Sequence, residues 1–225
     1  MTLITDDAAK SVVDILDGST ILVSGFGMAG MPVTLIDALV EQGASDLTIV
    51  SNNAGNGETG LAALLAAGRV RKVVCSFPRQ SDSQVFDDLY RAGQIELEVV
   101  PQGNLAERMR AAGAGIGAFF CPTGVGTPLA EGKEQRTIDG REYVLETPIR
   151  GDVALIGAHA ADRSGNLVYR KTARNFGPVM ASAARLTIAQ VSHVVETGDL
   201  DPEAVVTPGI YVDRVVTEGS GSDKS

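Results

Sequence analysis

Residues 24 to 30 of this 225-residue chain have the spacing of an anion-binding loop. Gly25, Gly27 and Gly30 follow an apolar segment in the order G-x-G-x-x-G, and Pro32 stands where the first turn of a helix accepts proline. Glycines let the backbone approach a phosphate, and the free N–H groups of a helix start attract it. The pattern therefore predicts a strand, a turn and a helix start that together bind an anionic group.

The same glycine spacing occurs in dinucleotide-binding folds, but the next strand argues against a dinucleotide. Such folds place an Asp or Glu about 20 residues further on, where it binds the ribose hydroxyls. The strand predicted over residues 47–51 ends instead in Asn52 and Asn53. Because asparagine amides suit a carboxylate or a carbonyl better than a ribose diol, we favour an organic acid over NAD.

Further amide and guanidinium groups follow the later strands. Arg79 and Gln80 come after the third predicted strand, and Gln102 comes after the fourth. Amides and arginine recognise carboxylates, arginine through a two-pronged contact. Two alternatives stay open: Arg79 pairs with a neighbouring acid such as Asp82, and Gln102 caps the helix that follows it. The sequence shows no Ser-His-Asp set, metal-ligand cluster or Walker lysine, so it predicts an acid-binding site without a metal or an evident nucleophile of its own.

Composition limits the possible partners. Hydrophobic residues make up 44% of the chain and aromatic residues only 4%, and there are 26 glycines. This composition favours an α/β fold whose core is built from aliphatic side chains. The net charge is −9 and no basic run occurs, so no nucleic-acid partner is expected. No secretory signal or span of roughly 20 apolar residues is present, and we expect a cytoplasmic protein without a membrane partner. Of the two cysteines, Cys75 is expected to be buried, whereas the reactivity of Cys121 stays open.

Strands and helices alternate in the first half of the chain. This alternation predicts an open, mostly parallel sheet with helices on both faces, and ligands of such sheets bind at the carboxyl ends of the strands. Ser81 with Gln84 is expected to form a capping box, and Asn104 to cap a later helix. The predicted strands are residues 20–24, 47–51, 70–76, 95–100 and 118–120, and the predicted helices are residues 31–42, 61–67, 81–93 and 105–112.

The pattern changes after Cys121. In the loop of residues 122–127, Gly124 and Gly126 either contact an anion or thioester or only form a tight turn. Asp139-Gly140 lies between two short strands and is a strong hairpin signal. Because no linker interrupts the chain, we expect one domain over residues 1–217, with a small β-rich flap at about residues 122–150, followed by a flexible tail over residues 218–225.

Five separated motifs between about residues 3 and 216 resemble the A (alpha) subunit of family I 3-oxoacid CoA-transferases. The run Cys-Ser-Phe-Pro-Arg-Gln-Ser-Asp-Ser at residues 75–83 is similar to the branch that acts on 3-oxoadipate in aromatic catabolism, the β-ketoadipate pathway. One departure is Ser24, which stands where the signature usually has a glycine and adds a Cβ at a close approach. The five motifs are residues 17–32, 51–55, 101–108, 122–127 and 174–176.

The resemblance implies a CoA-transferase/NagB-like fold and transfer of CoA from succinyl-CoA to 3-oxoadipate by a ping-pong route. The nucleophilic glutamate lies in a B subunit, so this chain supplies no catalytic residue and is inactive alone. The implied assembly is an α2β2 heterotetramer, with the CoA thioester as substrate and no permanent cofactor. The implied CoA contacts are Ser24, Gly25, Phe26, Gly27, Met28, Ala29 and Gly30. The expected acid contacts are Asn52, Asn53, Arg79, Gln80, Gln102, Gly124 and Gly126.

Three other functions stay open. The first is a CoA-transferase for acetoacetate or another acid, and Arg79 bears on it because 3-oxoadipate carries a second carboxylate that acetoacetate lacks. The second is a sugar-phosphate isomerase on the same fold, which would need a base within this chain. The third is a module that binds such ligands without converting them.

Overall fold

The computed structural model describes residues 2–80 and 82–218. Runs of branched apolar residues form the strands, and helices rich in Ala and Leu lie between them. The strands are β1 Leu3–Thr5, β2 Thr20–Val23, β3 Leu47–Val50, β4 Val70–Cys75, β5 Glu96–Val99, β6 Phe119–Cys121, β7 Gln135–Ile138, β8 Arg141–Glu146, β9 Gly151–Gly157, β10 Ala160–Asp162, β11 Leu167–Val168, β12 Ala184–Val191, β13 His193–Val195 and β14 Arg214–Thr217. The α-helices are α1 Ala8–Val12, α2 Val33–Gln42, α3 Leu61–Ala66, α4 Gln84–Arg91, α5 Gln102–Gly113 and α6 Gly177–Ala183.

The main sheet of the described residues has eight strands, in the order β1-β14-β12-β9-β2-β3-β4-β5, and all neighbours run parallel. Helices α1 to α4 pack on one face, and α5 and α6 pack on the other. This confirms the predicted α/β class. The strand order reverses between β2 and β9, and such a reversal opens a crevice at the carboxyl ends of the strands. The glycine loop that follows β2 lies at this crevice.

Several local predictions are confirmed. Gly43 ends α2 in the left-handed conformation, with φ 97°, as expected of a helix-terminating glycine. Asp139 and Gly140 have φ 50° and 75° and connect the antiparallel strands β7 and β8, which is the hairpin turn that the sequence indicated. The domain end at residue 217 and the tail stay predictions, because residues 219–225 lie outside the described residues.

One strand lies in a different sheet than expected, and two predictions of helix caps are wrong. The strand predicted at residues 118–120 is present as β6, but it pairs antiparallel with β8 in a separate three-stranded sheet and does not extend the parallel sheet. Helix α4 begins at Gln84 itself, which excludes Gln84 as the third-position partner of a capping box; Ser81 lies outside the described residues. Helix α5 begins at Gln102, so Asn104 is inside the helix and not at its cap.

Buried polar contacts attach the flap to the rest of the fold. Asn104 donates from Nδ2 to Glu146 Oε1 at 3.1 Å and accepts from Cys121 Sγ at 3.2 Å. Glu146 is 2% exposed, and its Oε1 also accepts a hydrogen bond from Lys133 Nζ at 2.9 Å. The amide that was expected to cap a helix instead joins α5 to the small sheet.

Candidate active site

The loop between β2 and α2 closes on itself as a tight hairpin. Phe26 and Ala29 exchange backbone hydrogen bonds of 3.0 and 3.3 Å. The side chains of Phe26 and Met28 at the tip are 53% and 51% exposed. The backbone N–H groups of Gly27 and Met28 donate to no atom of the described chain. The loop therefore presents two apolar side chains and two free donors to solvent.

Ser24 is directed into the protein and not toward a ligand. Its side chain is fully buried. Its hydroxyl donates to the Gly30 carbonyl oxygen at 2.6 Å and accepts from the Gly157 amide at 2.9 Å. Both hydrogen bonds of the hydroxyl are therefore made within the protein. The serine instead ties the base of the loop to β9.

Gly30 is required by the neighbouring backbone. Its φ is 74°, and a Cβ at this position would lie 2.4 Å from the Ala173 carbonyl oxygen. The sequence suggested that the backbone at this glycine approaches a ligand closely. In the structure it approaches the backbone of Ala173, so the segment around Ala173 lies against the glycine loop.

The start of α2 is also less open than expected. The Leu35 amide, in the first turn, donates to Gln190 Oε1 at 3.2 Å. Gln190 is 5% exposed, and its Nε2 donates to Glu218 Oε1 at 2.6 Å. The protein's own amide therefore occupies one donor of the first turn, so fewer N–H groups are free at this helix start than the sequence suggested.

Asn175 holds the glycine loop in place. Its Oδ1 accepts from the Gly25 amide at 3.1 Å, and its Nδ2 donates to the Ala29 carbonyl oxygen at 2.9 Å. The same Nδ2 donates to the Thr172 carbonyl oxygen at 2.8 Å, and Oδ1 accepts from the Phe176 amide at 2.7 Å. One side chain, distant in sequence, thus bridges both arms of the loop. Sequence reasoning had placed Asn175 in a motif but had assigned it no role.

Asn52 and Gln102 meet as the sheet order requires, since they follow β3 and β5, and Ser76 follows β4 between them. Asn52 is 2% exposed, and its Oδ1 accepts from Gln102 Nε2 at 2.7 Å and from Ser76 Oγ at 2.7 Å. Two donors on one oxygen fix the orientation of the amide. Its Nδ2 donates to no atom of the described residues, so this amide group remains available to donate a hydrogen bond to a ligand. Gln102 makes no capping bond, which excludes the capping alternative.

Asn53 and Gln80 brace loops. Asn53 is 1% exposed, its Oδ1 accepts from the Gly55 amide at 2.9 Å, and its Nδ2 has no partner among the described residues. Gln80 Oε1 accepts from Asn56 Nδ2, which joins the loop after β3 to the loop after β4. Both side chains lie near the expected edge of the sheet, but their polar oxygens are used within the protein.

Arg79 is paired in this structure. Its Nε lies 2.5 Å from Asp87 Oδ1, and its side chain is 55% exposed. The acid is Asp87 of helix α4, and not the neighbouring Asp82 that the sequence suggested. Gly124 and Gly126 have φ 96° and 72°, and Thr127 Oγ1 donates to the Gly124 carbonyl oxygen at 2.7 Å. The two positive φ angles and this hydrogen bond are those of a tight turn, as in the second alternative for this loop.

A groove of about 360 Å³ lies beside the glycine loop. It brings together residues from three of the sequence motifs: the glycine loop, the start of α5 and the segment that precedes α6. None of its lining side chains titrates, so this wall of the site offers hydrogen bonds and apolar contact but no base or nucleophile. The lining residues are Phe26, Gln102, Gly103, Ala106, Asn175, Phe176 and Val179.

Neither cysteine adds a nucleophile to this groove. Burial raises the pKa of the Cys75 thiol to about 12, so it stays protonated at neutral pH. Cys121 is half-buried, with its thiol on Asn104. Within residues 2–80 and 82–218, His, Cys, Asp and Glu form no group that could hold a metal ion. Over the same residues, no helix has the length and apolar character to cross a membrane.

The fold is a parallel α/β sheet with a groove beside the glycine loop that is partly lined by amides and holds no titratable group. The chain belongs to the coenzyme A transferase family, whose model matches residues 5–218. It is 70% identical over 220 residues to the A subunit of 3-oxoadipate CoA-transferase from Pseudomonas putida, covering 98% of this chain and 95% of the relative.

Other relatives differ in their named acid. The chain is 50% identical to the A subunit of the probable succinyl-CoA:3-ketoacid coenzyme A transferase from Bacillus subtilis, over 91% of this chain and 85% of the relative. Among solved structures, the acyl-CoA transferase YdiF apoenzyme of Escherichia coli O157:H7 is 26% identical with a TM-score of 0.84. That match covers 98% of this chain and 48% of the YdiF chain. These comparisons confirm the predicted family and fold.

Proposed function

We propose that this chain is the A subunit of a 3-oxoadipate CoA-transferase, which moves CoA from succinyl-CoA to 3-oxoadipate together with a B subunit. The observation that carries the proposal is the groove, which has polar donors and no group able to attack a thioester. The name of the 70% identical relative supports both the acid and the assignment to the A subunit. The absence of a base among the residues that line this groove argues against an isomerase site within it.

The chemistry divides between the two subunits. A carboxylate oxygen of the B-subunit glutamate attacks the succinyl carbonyl carbon, the C–S bond breaks, and CoA leaves as a thiolate. The thiolate then attacks the glutamyl carbonyl of the resulting anhydride, which releases succinate and forms a glutamyl–CoA thioester. The same steps in reverse pass CoA to the 3-oxo acid.

This chain orients the acids and stabilises negative charge. Asn52 Nδ2, with its amide fixed by two bonds to Oδ1, is positioned to donate to a carbonyl or carboxylate oxygen. The free N–H groups of Gly27 and Met28 supply further donors at the loop tip. Removal of one fixed donor of this kind from a comparable acyl-transfer site costs about 3 to 4 kcal/mol of oxyanion stabilisation.

The proposal includes the assembly and the location. YdiF is about twice as long as the part that this chain covers, which leaves room for a second half of similar size. We infer an α2β2 heterotetramer in the cytoplasm, with the CoA thioester as substrate and no permanent cofactor. Mass measurement of the co-expressed complex tests the stoichiometry.

A second candidate is transfer to acetoacetate, because Asp87 engages Arg79 and reduces its availability for a second substrate carboxylate. The test is co-expression of both subunits and an assay of CoA exchange from succinyl-CoA to each acid. We expect 3-oxoadipate to be the better acceptor and Arg79→Met to reduce its kcat/KM far more than that of acetoacetate. Equal losses would assign Arg79 to the ion pair alone, and a preference for acetoacetate would favour the second candidate.

A further inference from the structure

Three basic residues that form no salt bridge within the described residues lie in the segment beside the glycine loop. Arg170 precedes the 3-10 turn Lys171–Arg174, and Lys171 and Arg174 are its first and last residues. All three are exposed. None of the salt bridges in the described part of the chain includes them. Three positive charges within five residues are unusual here, because the whole chain carries a net charge of −9.

The turn that carries these residues packs against the glycine loop at the crevice of the sheet. Ala173 is in backbone contact with Gly30, and Asn175 bonds to both arms of the glycine loop. Arg170 and Gly30 line one pocket of about 270 Å³. The acidic residue in its lining is Glu218, which accepts a hydrogen bond from Gln190. This pocket and the amide-lined groove share the glycine loop and residues 170–176 as walls. A long ligand could therefore contact both.

The backbone of the turn adds a second observation. Lys171 has φ 52°, a left-handed conformation that is unfavourable for a residue with a Cβ. Such conformations persist where the surrounding structure imposes them, and they cluster at ligand-binding segments. The net negative charge gives no long-range attraction for an anion, so local cations must provide it.

We propose that Arg170, Lys171 and Arg174 bind the phosphate groups of the CoA thioester while its acyl end lies in the groove. The proposal rests on the proposed function, which supplies the ligand. CoA carries a 3′-phosphate and a pyrophosphate at the opposite end of its pantetheine arm from the sulfur. Lys and Arg bind phosphate oxygens through charge-assisted hydrogen bonds, and binding energy from this remote end can be used at the reacting carbon.

The test uses the complex of both subunits with the double variant Lys171→Gln and Arg174→Gln. We expect KM for succinyl-CoA to rise about tenfold or more, as for the loss of charge-assisted contacts, with kcat little changed. Succinyl-pantetheine, which lacks the phosphates, should react equally with both proteins. Succinyl-3′-dephospho-CoA distinguishes the 3′-phosphate from the pyrophosphate. Added salt should raise KM of the unmodified complex more than that of the variant.

Arg185→Gln is the matched control. Arg185 is exposed near the start of β12, at the amino edge of the same sheet, and its substitution makes the same change of charge per residue. KM should not change in this variant.

Two results would overturn the proposal. One is an unchanged KM for succinyl-CoA, or a rise that is equal for succinyl-pantetheine. The other is loss of the B subunit from the purified variant, which would show that the cations face the partner protein. If the unmodified complex transfers no CoA, the proposed function fails, but calorimetric titration with CoA and with pantetheine still measures whether the three cations bind the phosphates.

Discussion

Gln102 and Ser76 allow a direct test of how the groove works. Both donate to Asn52 Oδ1 at 2.7 Å, but only Gln102 lines the groove. Loss of either bond weakens the hold on the Asn52 amide by about 1 kcal/mol, which corresponds to about a fivefold fall in kcat. Gln102→Ala also removes a side chain from the wall that we propose the acid contacts.

We therefore expect Ser76→Ala to lower kcat about fivefold and Gln102→Ala to lower it about 100-fold or more, as for removal of a transition-state donor. The assay is steady-state CoA exchange by the complex of both subunits. Gln102 is exposed, so the melting temperature should change little. Equal effects of the two variants would mean that Gln102 acts only through Asn52, and full activity of Gln102→Ala would exclude this groove as the acyl site.

Three further predictions concern the glycine loop and the cysteines. Asn175→Asp keeps the acceptor and loses both donors, so kcat/KM for succinyl-CoA should fall about 10-fold or more, with a smaller change in melting temperature. Gly30→Ala should destabilise the complex by more than about 1 kcal/mol, measured by chemical denaturation, because its Cβ meets the Ala173 carbonyl oxygen. Burial raises the pKa of Cys75 to about 12, so at pH 8 a thiol reagent should modify Cys121 first, and modification of native Cys75 at the same rate would contradict this.

Local signals in the sequence predicted much of the architecture. A residue such as Gly43 ends a helix because it adopts a left-handed conformation at low cost, and Asp139-Gly140 specifies a hairpin in the same way. The branched apolar runs identified β2 to β5 to within about two residues, whereas the short edge strand β1 and its neighbour β14 were not predicted. These features depend on a few neighbouring residues, which the sequence displays directly.

The sequence could not predict contacts that depend on the order of strands. Asn104 has a favourable type for a helix cap, yet it lies inside α5, where its amide donates to the buried Glu146 of the flap. Asn175 reaches a loop 150 residues away. Only three cations occur within residues 170–174, too few to indicate a basic run, and their position beside the glycine loop emerges only after folding.

Trapping the covalent intermediate is the sharpest test of the proposed division of chemistry between the two subunits. The purified complex is mixed with succinyl-CoA without an acceptor acid, and the intact mass of each chain is measured. We expect CoA to become attached to the B subunit, while this chain keeps its unmodified mass. A CoA adduct on this chain, lost when one of its own glutamates is replaced by glutamine, would show that the nucleophile lies here and not in the partner.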